Sequence, residues 1–296
     1  MQDFTMTPFD ILMAGYYLAV DPILIRLRKR ARLRAWPAPR DLPVRPLAIH
    51  AAQARGPAAQ QAVRRFMRVA RRYDMHPAGP AFPPPGSRAT PMMLDLARCA
   101  SHTDFEALLR RQSKRTLPKI RHARRMGYRV ERFVLPMHVH DVHAVKTSMA
   151  VRSGGPVLAR WLLKPAHIAR QADAPVSWQA PACATHWTTW WGVFMDEPGH
   201  CNGTLQTDRR LVAYVKLTRC GDVVHYLDLM GHKQHLGHGV MPLMHAAIVH
   251  WLLDAAEPCA AGVQAIWYGA LEHGSAGLLT WKKRTGFEPL RIMLHP

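Results

Sequence analysis

The chain has 296 residues, enough for one large domain or two small ones, and 48% of them are hydrophobic, enough for a sizeable core. Its formal net charge of +20 is uneven, because residues 1–132 carry 26 Lys and Arg against 9 Asp and Glu, while residues 133–296 carry 14 against 11. A basic front half attracts nucleic acid, anionic lipid, an acidic carrier protein or a phosphorylated ligand, although a generally Arg-rich composition gives the same excess.

The five cysteines are scattered and form no C-x-x-C pair, which argues against a disulfide framework and a zinc–thiolate site. This pattern and the lack of a secretory signal predict a cytoplasmic protein. Residues 1–35 predict a helix with an apolar first half and a basic end. Such a helix packs on the domain with its arginines in water, or it lies peripherally on the anionic inner face of the membrane. Its apolar run is short for a bilayer span.

The next part of the chain contains two linker-like stretches with one helix between them. Residues 36–60 are rich in Pro, Ala and Arg and predict a linker, and 57–73 predict a short basic helix. Residues 76–91 contain many Pro and Gly and show neither a helix nor a strand pattern. We therefore predict a basic helical extension over 1–90 and a separate folded domain over 91–296.

From residue 92 onwards the hydrophobic pattern becomes regular and predicts alternating helices and strands. A turn at Cys220–Asp222 predicts a hairpin within 209–230. The order is helices, a β-meander, then helix, strand, helix and strand, which predicts an α/β fold with a mixed sheet. The predicted helices cover 102–127 (broken near Pro118), 139–154, 240–256 and 275–284, and the predicted strands cover 128–135, 186–196, 209–230, 262–271 and 286–294.

The stretch GHKQHLGHGVM, residues 231–241, joins a predicted strand to a predicted helix and permits two interpretations. Its three histidines, His232, His235 and His238, have a spacing that puts two or three of them on one helix face. A metal site would also use a carboxylate nearby, and none lies within 231–250. With 18 histidines in the chain, such a spacing arises by coincidence. We therefore predict no metal here.

The second interpretation is a phosphate site. The first turn of a helix has unpaired N–H groups and a partial positive charge. These groups bind phosphate best where no Cβ holds the ligand away, and Gly237 and Gly239 stand at this point. Lys233 adds positive charge. This interpretation predicts a pyrophosphate cradle at the start of the helix.

Two motifs in this region resemble the GNAT acyltransferase superfamily. That superfamily has R/Q-x-x-G-x-G/A at its strand-to-helix turn, and Gln234 to Gly239 fit it at every specified place. The closing segment, with Gly286 and Phe287, is similar to the Y-x-x-x-G-F segment of the superfamily. The resemblance covers 186–296 well and 92–185 loosely, and the loose part is also similar to Fem-type aminoacyl transferases. It implies a mixed, mostly antiparallel central sheet flanked by helices.

The resemblance also implies how a co-substrate is held. Acyl-CoA, such as acetyl-CoA, would place its pyrophosphate on the N–H groups from Leu236 to Val240, with the pantetheine arm along the strand that ends at Leu229 and Met230. Ser275 falls where the superfamily often has Asn, and it is also a natural helix N-cap. The implied co-substrate site comprises Leu229, Met230, Gln234, His235, Leu236, Gly237, His238, Gly239, Val240 and Ser275.

Candidate catalytic residues follow from the chemistry of moving an acyl group from a thioester to an amine. The base that accepts the amine proton is Asp228 or His225, which strand alternation places on opposite faces of the sheet. Asp228 is the first choice, and a structural salt bridge is its alternative role. Many superfamily members protonate the thiolate with a tyrosine, at whose place this chain has Lys282. Lys282 would have to be buried to act, and Tyr268 on the neighbouring strand is the substitute.

Three functions remain open from the sequence. The first is an N-acyltransferase that uses acyl-CoA or an acyl-carrier protein and a small-molecule, peptide or sugar amine as acceptor. The second is a Fem-type transferase that uses aminoacyl-tRNA, which the basic half favours. The third is a non-catalytic nucleic-acid or membrane-surface binding protein with a GNAT-like domain.

Overall fold

The computed structural model describes residues 41–79, 88–152, 155–157, 163–169 and 177–296, with single positions among the first 40. Helices and strands alternate along this part of the chain. The helices are α1 (Gly56–Ala70), α2 (His102–Gln112), α3 (Thr116–Arg125), α4 (Val139–Thr147), α5 (Val240–Asp254) and α6 (Ala276–Arg284). The strands are β1 (Val44–Ala48), β2 (Met75–Pro77), β3 (Pro91–Asp95), β4 (Arg129–Phe133), β5 (Val151–Arg152), β6 (Gly155–Pro156), β7 (His186–Asp196), β8 (Cys201–Asn202), β9 (Leu205–Gln206), β10 (Arg209–Cys220), β11 (Val223–Gly231), β12 (Ala265–Ala270), β13 (Glu288–Pro289) and β14 (Arg291–His295).

A seven-stranded sheet forms the centre of the molecule, in the order β13-β3-β12-β11-β10-β7-β4. Within it only β11 and β12 run parallel, and the other neighbours are antiparallel. The long strands β7 and β10 pair over their full lengths because aromatic and β-branched residues recur along both. The predicted mixed, mostly antiparallel sheet flanked by helices is confirmed.

One face of this sheet is covered by α2, α3, α5 and α6, which share a large hydrophobic core with it. Nine of the fifteen residues of α5 are buried, which explains why its sequence is apolar nearly all round. Helices α2 and α3 are separated at Ser113–Arg115, slightly before the predicted break. Pro118 lies in the first turn of α3, where its missing N–H group costs no hydrogen bond.

The other face carries a second layer that begins before residue 90. Strands β1 and β2 pair in parallel with the C-terminal strand β14, one on each side. Helix α1 packs its Ala59, Ala62, Phe66 and Ala70 against the large sheet. The predicted basic helix is therefore present. However, the linker predicted over 36–60 is wrong, because it contains β1 and the start of α1.

A second hydrophobic core joins α1 and the three-stranded sheet to the large sheet, and it contains Leu47, Phe66, Trp267 and Leu294. Asp74, beside β2, forms a buried ion pair with Arg291 of β14 at 2.8 Å. Residues 41–79, on one side of the boundary predicted at residue 90, thus share a hydrophobic core with the domain on its other side. The predicted helix over 1–35 lies outside the described residues, apart from single positions.

Phe66 is the residue of α1 whose replacement tests this shared core. Its ring is buried and meets Trp267 edge-on, with 5.6 Å between ring centroids. We expect Phe66→Ala to lower the free energy of unfolding by about 3 kcal/mol, because it leaves a cavity under the helix. Arg68→Ala on the exposed side of α1 is the control and should change it by less than about 0.5 kcal/mol. Equal urea midpoints for both variants would contradict the shared core.

Among the described residues, no helix has both the length and the apolar character needed to cross a bilayer. All five cysteines are free thiols.

Candidate active site

The two parallel strands of the large sheet stop pairing partway along their length, and the gap between them is called the cleft below. Strands β11 and β12 are paired only from Val223 to His225 on one side and from Ala265 to Trp267 on the other. Beyond His225, the β12-facing edge of β11 has no strand partner among the described residues. Backbone groups on that edge are therefore available to a ligand. The side chains of Leu229 and Met230 pack into separate cores, so this stretch of strand is anchored while its edge stays open.

A β-bulge at Asp228 begins the separation. Tyr214 of β10 pairs with Met230 and Lys216 pairs with Leu227, so two residues of β11 face the single Val215. Asp228 has a φ of 45° in this bulge, a conformation that Asp and Asn tolerate better than most residues. On the other side of the cleft, Gly269 of β12 also has a positive φ, 59°. Both strands are thus irregular at the level where they separate.

The bulge also changes the direction of Asp228. Its Oδ2 accepts a hydrogen bond from Lys146 Nζ of α4 at 2.6 Å, and Lys146 lies over the ring of Tyr214. Helix α4 packs on the same sheet face as α1, and His225 also points to that face. The prediction of opposite faces for Asp228 and His225 is therefore wrong, because the left-handed residue interrupts strand alternation.

His225 is too enclosed to exchange protons readily. Its ring stacks on Trp267 at 3.7 Å, and only 6% of the residue is exposed. Burial lowers its pKa to about 3, so the imidazole is neutral at pH 7. Of the two predicted bases, Asp228 lies beside the open edge of β11, whereas His225 belongs to the last paired position.

The turn between β11 and α5 supplies fewer free amides than predicted. Leu236 N–H donates to His232 and His238 N–H donates to His235, so these two groups are already used. Helix α5 begins at Val240, which leaves the N–H groups of Val240 and Met241 without an intrahelical acceptor. The third helical residue, Pro242, has no N–H. The amides that remain for a ligand are therefore those around Gly237, Gly239, Val240 and Met241.

The two glycines of this turn have different roles. Gly239 has a φ of 90°, and a Cβ there would lie 2.5 Å from the carbonyl oxygen of Lys119 in α3. Gly239 therefore lets the turn pack against α3. Gly237 has no positive φ, and a Cβ added there would meet nothing within 4 Å, so the fold does not require glycine at this position. Only Gly237 has the open surroundings that the phosphate interpretation expects.

Two of the three histidines of the turn, His235 and His238, are held by Tyr128. Its hydroxyl lies 2.7 Å from Nδ1 of His235 and 2.8 Å from Nδ1 of His238. A hydroxyl has one hydrogen to donate, so one imidazole accepts at Nδ1 and the other donates there. Among the described residues, no three His, Cys, Asp or Glu side chains form a group that could hold a metal ion. The histidine spacing thus corresponds to a hydrogen-bonded brace between the turn and the end of α3.

Three buried histidines give the fold a defined pH dependence. Burial lowers the pKa of His225 to about 3 and of His235 and His245 to about 4, from an ordinary value of 6.5. The unfolded chain then binds more protons than the folded one once the pH falls below that ordinary value. We expect the free energy of unfolding to fall steadily as the pH drops from about 6.5 to 4.

Urea unfolding at about pH 7.5, 6.5 and 5.5 measures this effect before most carboxylates titrate. His245→Gln should reduce the slope, because one of the histidines with a lowered pKa is removed. A free energy of unfolding that rises as the pH falls through this range would contradict buried neutral histidines.

A cavity of about 350 Å³ opens beside the turn, between α3, the start of α5 and α6. Its lining includes Arg115, Lys119 and Arg284, and no Asp or Glu is among the described residues that line it. None of these three cations forms an ion pair with a residue that the structure describes. They are not among the residues predicted from the sequence, although the basic run 114–125 supplies two of them. The cavity is thus suited to an anionic ligand.

The two candidate proton donors lie on the opposite side of the cleft from the bulge. Tyr268 of β12 is half-buried, and burial raises its pKa to about 12, so its hydroxyl keeps its proton. Lys282 of α6 is only 1% exposed, donates to the carbonyl of Ala270 at 2.7 Å and lies over the ring of Tyr268. Burial lowers its pKa to about 8. Lys282 is therefore a buried lysine that supports Tyr268 and the end of β12.

The remaining predicted residues are at the edges of the site. Ser275 caps α6, because its hydroxyl accepts from Leu278 N–H at 3.3 Å. Gln234 is exposed on the turn. Below the cleft, Tyr226 donates to Nδ1 of His245, whose Nε2–H donates to the carbonyl of Thr285. This buried chain of hydrogen bonds fixes α5 and α6 relative to β11, and no local sequence pattern predicts it.

No protein-family model matches this sequence, and no curated protein compared with it matches either. Two solved structures are similar to parts of the chain. A tandem GNAT protein from the clavulanic acid biosynthesis pathway is 13% identical, with a TM-score of 0.36, over 68% of this chain and 50% of that chain. A GCN5-related N-acetyltransferase from Kribbella flavida is 14% identical, with a TM-score of 0.27, over 55% of this chain and 47% of that chain. The chain thus spans about half the length of each structure.

Proposed function

We propose that this chain is an acyltransferase that moves an acyl group directly from an acyl-CoA thioester, such as acetyl-CoA, to an amine. The observation that carries the proposal is the continuity of the cleft. The open edge of β11 leads directly into the turn at Gly237, and the cationic cavity lies beside that turn. An acyl-CoA carries a thioester at one end of a long amide-containing arm and a diphosphate at the other. The open strand edge fits the arm, and the turn with its cationic cavity fits the diphosphate.

The donor would be held mainly by its phosphates and its amide groups. The diphosphate would bind the free amides around Gly237, Val240 and Met241, with Lys119 and Arg115 as counter-charges. The amides of the pantetheine arm would bond to the open backbone edge between Leu227 and Met230. Both contacts use backbone groups, which the fold holds in place before the donor arrives.

The transfer itself needs one base and one acid. The amine nitrogen attacks the thioester carbonyl carbon, and the Asp228 carboxylate accepts a proton from the amine. A backbone N–H of the open β11 edge stabilises the negative charge on the carbonyl oxygen. The carbon–sulfur bond then breaks, and the sulfur takes a proton from the Tyr268 hydroxyl. Lys282, near the ring of Tyr268, favours loss of that proton by its positive charge.

An acyl-carrier protein is a further donor to test, because the cavity opens among exposed cations. Lys114, Arg115 and Lys119 are exposed near its mouth, and an acidic carrier would complement them. The same thioester chemistry applies to both donors. A transferase that uses aminoacyl-tRNA would instead bind a tRNA acceptor stem with an affinity that falls steeply with salt.

A thermal-shift experiment with acetyl-CoA tests the proposal. Acetyl-CoA at a hundred times its dissociation constant should add about 2.7 kcal/mol to the free energy of unfolding. Gly237→Asp should abolish this shift without lowering the melting temperature of the free protein, because its side chain enters open space and its charge repels the diphosphate.

Gly79→Asp is the matched control, since Gly79 is also exposed, has no positive φ, and its added Cβ has only one atom, at 4.0 Å, as neighbour. It should keep the full acetyl-CoA shift. If acetyl-CoA and an acyl-carrier protein both leave the melting temperature unchanged, the acyltransferase proposal is wrong. Stabilisation by a tRNA acceptor stem alone would favour the aminoacyl-tRNA alternative.

A further inference from the structure

A second and larger cavity, of about 520 Å³, lies on the opposite face of the sheet from the donor cavity. It is enclosed between helix α1, the segment from Trp178 to Cys183, and strands β7, β10 and β11. Helix α1 belongs to the part of the chain that the sequence analysis treated as an extension. The cavity exists because this helix stands over the sheet.

The charges of this cavity have one sign. Arg55, Arg65 and Lys216 line it, and no Asp or Glu is among its described lining residues. Lys216 is half-buried and forms no ion pair with any residue that the structure describes, and its Nζ lies 5.4 Å from the centre of the Trp190 ring. Burial lowers the pKa of Lys216 and the nearby Arg65 lowers it further, while the Asp228 carboxylate acts in the opposite direction. A half-buried lysine that forms no ion pair favours an anion beside it.

Neutral hydrogen-bonding groups and apolar walls complete the cavity. The hydroxyls of Thr188 and Thr218 lie 3.1 Å apart on adjacent strands, next to Lys216 along the same face of β10. Phe66 of α1 and Trp187 of β7 are among the apolar lining residues. The cavity therefore suits a molecule with one anionic group and an apolar or aromatic part.

The cavity also extends to the proposed base. Lys216 pairs in register with Leu227, and Leu227 and His225 both line the cavity. The next residue along β11 is Asp228, at the bulge where the two parallel strands separate. A molecule anchored by an anionic group at Lys216 thus has its neighbouring atoms close to Asp228.

We propose that the acyl acceptor is an amine that also carries an anionic group, a carboxylate or a phosphate, and that Lys216 and Arg65 bind this group in the cavity under α1. The inference rests on the proposed acyltransferase function, because that function requires an acceptor beside Asp228. It excludes simple cationic amines, which the positive lining repels. Donor and acceptor would approach the cleft from opposite faces of the sheet.

Cys183 provides a direct measure of cavity occupancy. Its thiol lines the cavity, lies 3.7 Å from His186 Nδ1 and is half-buried. Although burial alone raises the pKa of this thiol, hydrogen bonds from Thr185 and nearby backbone groups outweigh it, and the pKa is lowered. Cys201 is exposed and the other three cysteines are buried. In Cys201→Ser protein, iodoacetamide alkylation followed by mass spectrometry therefore reports on Cys183.

The experiment compares matched probes that differ in the anionic group. L-phenylalanine and its carboxamide test the carboxylate, and phosphoethanolamine and ethanolamine test the phosphate. We expect at least one anionic probe to slow Cys183 alkylation. Its counterpart that lacks the anionic group should leave the alkylation rate unchanged. Lys216→Met should weaken that protection roughly tenfold or more, because a charge-assisted hydrogen bond is lost. Lys283→Met on the exposed side of α6 is the control and should retain it.

The outcomes separate this inference from the proposed function. The anionic acceptor is overturned if neither anionic probe protects Cys183, or if phenylalanine and its carboxamide protect it equally. It is also overturned if Lys216→Met keeps the full protection. If protection appears but neither acetyl-CoA nor an acyl-carrier protein stabilises the protein, the transferase proposal fails and the cavity remains an anion site. If both are present, acetyl-CoA and the protecting anionic amine together should yield an acylated amine, detected by mass spectrometry, and its absence would overturn the acceptor assignment.

Discussion

Asp228→Asn should lower the turnover of acyl transfer by about 10²–10⁴-fold while leaving acetyl-CoA binding unchanged, because it removes the group that takes the amine proton. Asparagine is the informative replacement. It has nearly the same shape, and it tolerates the left-handed backbone of the bulge, where φ is 45°. The fold around the bulge should therefore persist, so that the loss reports on proton transfer alone.

Lys146→Met is the companion variant to Asp228→Asn, since Lys146 is the ion-pair partner of this carboxylate. If Asp228 is only one partner of a structural salt bridge, both variants should lower the stability by similar amounts, and both should keep a turnover close to that of the unaltered protein. If Asp228 is the base, its own variant alone should lose most of the turnover. Acylated product measured by mass spectrometry with saturating donor, together with urea unfolding of each variant, distinguishes the two roles.

Gly239→Val should lower the free energy of unfolding by about 4 kcal/mol, which combines left-handed strain with overpacking. A β-branched residue is strained at a φ of 90°, and its Cβ would lie 2.5 Å from the backbone carbonyl of Lys119. A backbone atom cannot move aside as the end of a flexible side chain does. Relief would therefore require α3 to shift away from the turn, which also opens the cavity that Lys119 lines.

Gly237→Val is the matched control, two residues earlier in the same turn. Nothing lies within 4 Å of its added Cβ, so the free energy of unfolding should change by less than about 1 kcal/mol. Acetyl-CoA binding should nevertheless weaken, because the side chain occupies the approach to the amides. Equal destabilisation by both substitutions would show that the two glycines have the same structural role.

The proposed site combines open backbone groups with two cationic cavities because two strands of the sheet separate there. The bulge at Asp228 and the left-handed Gly269 bend β11 and β12 apart at the same level. The separation leaves backbone groups open between two cationic cavities, the proposed donor site on one face and the proposed acceptor site on the other. Under these proposals, two anionic substrates would meet at the gap between β11 and β12, with Asp228 beside it.

Local pattern was enough to predict most elements from residue 92 onwards. The alternation of 186–196 and 209–230 and the apolar run of 240–256 correspond closely to β7, β10, β11 and α5. The element missed within 36–60 is β1, whose five residues include Arg45 and Pro46 and show no alternation of their own. It is a strand because β14 offers it an edge. That partner lies at the other end of the chain, so local pattern has no access to it.

The sequence by itself determined the alternating elements, the glycine-containing turn before α5 and the excess of positive charge, because these depend on residue types and their spacing. Only the tertiary structure decided how they are used. It turned Asp228 to the face of His225 through a bulge, buried Lys282 beneath Tyr268, and placed α1 over the sheet as the wall of a cavity. Each of these depends on contacts between distant segments, whose free energy comes from burial that no local stretch can achieve alone.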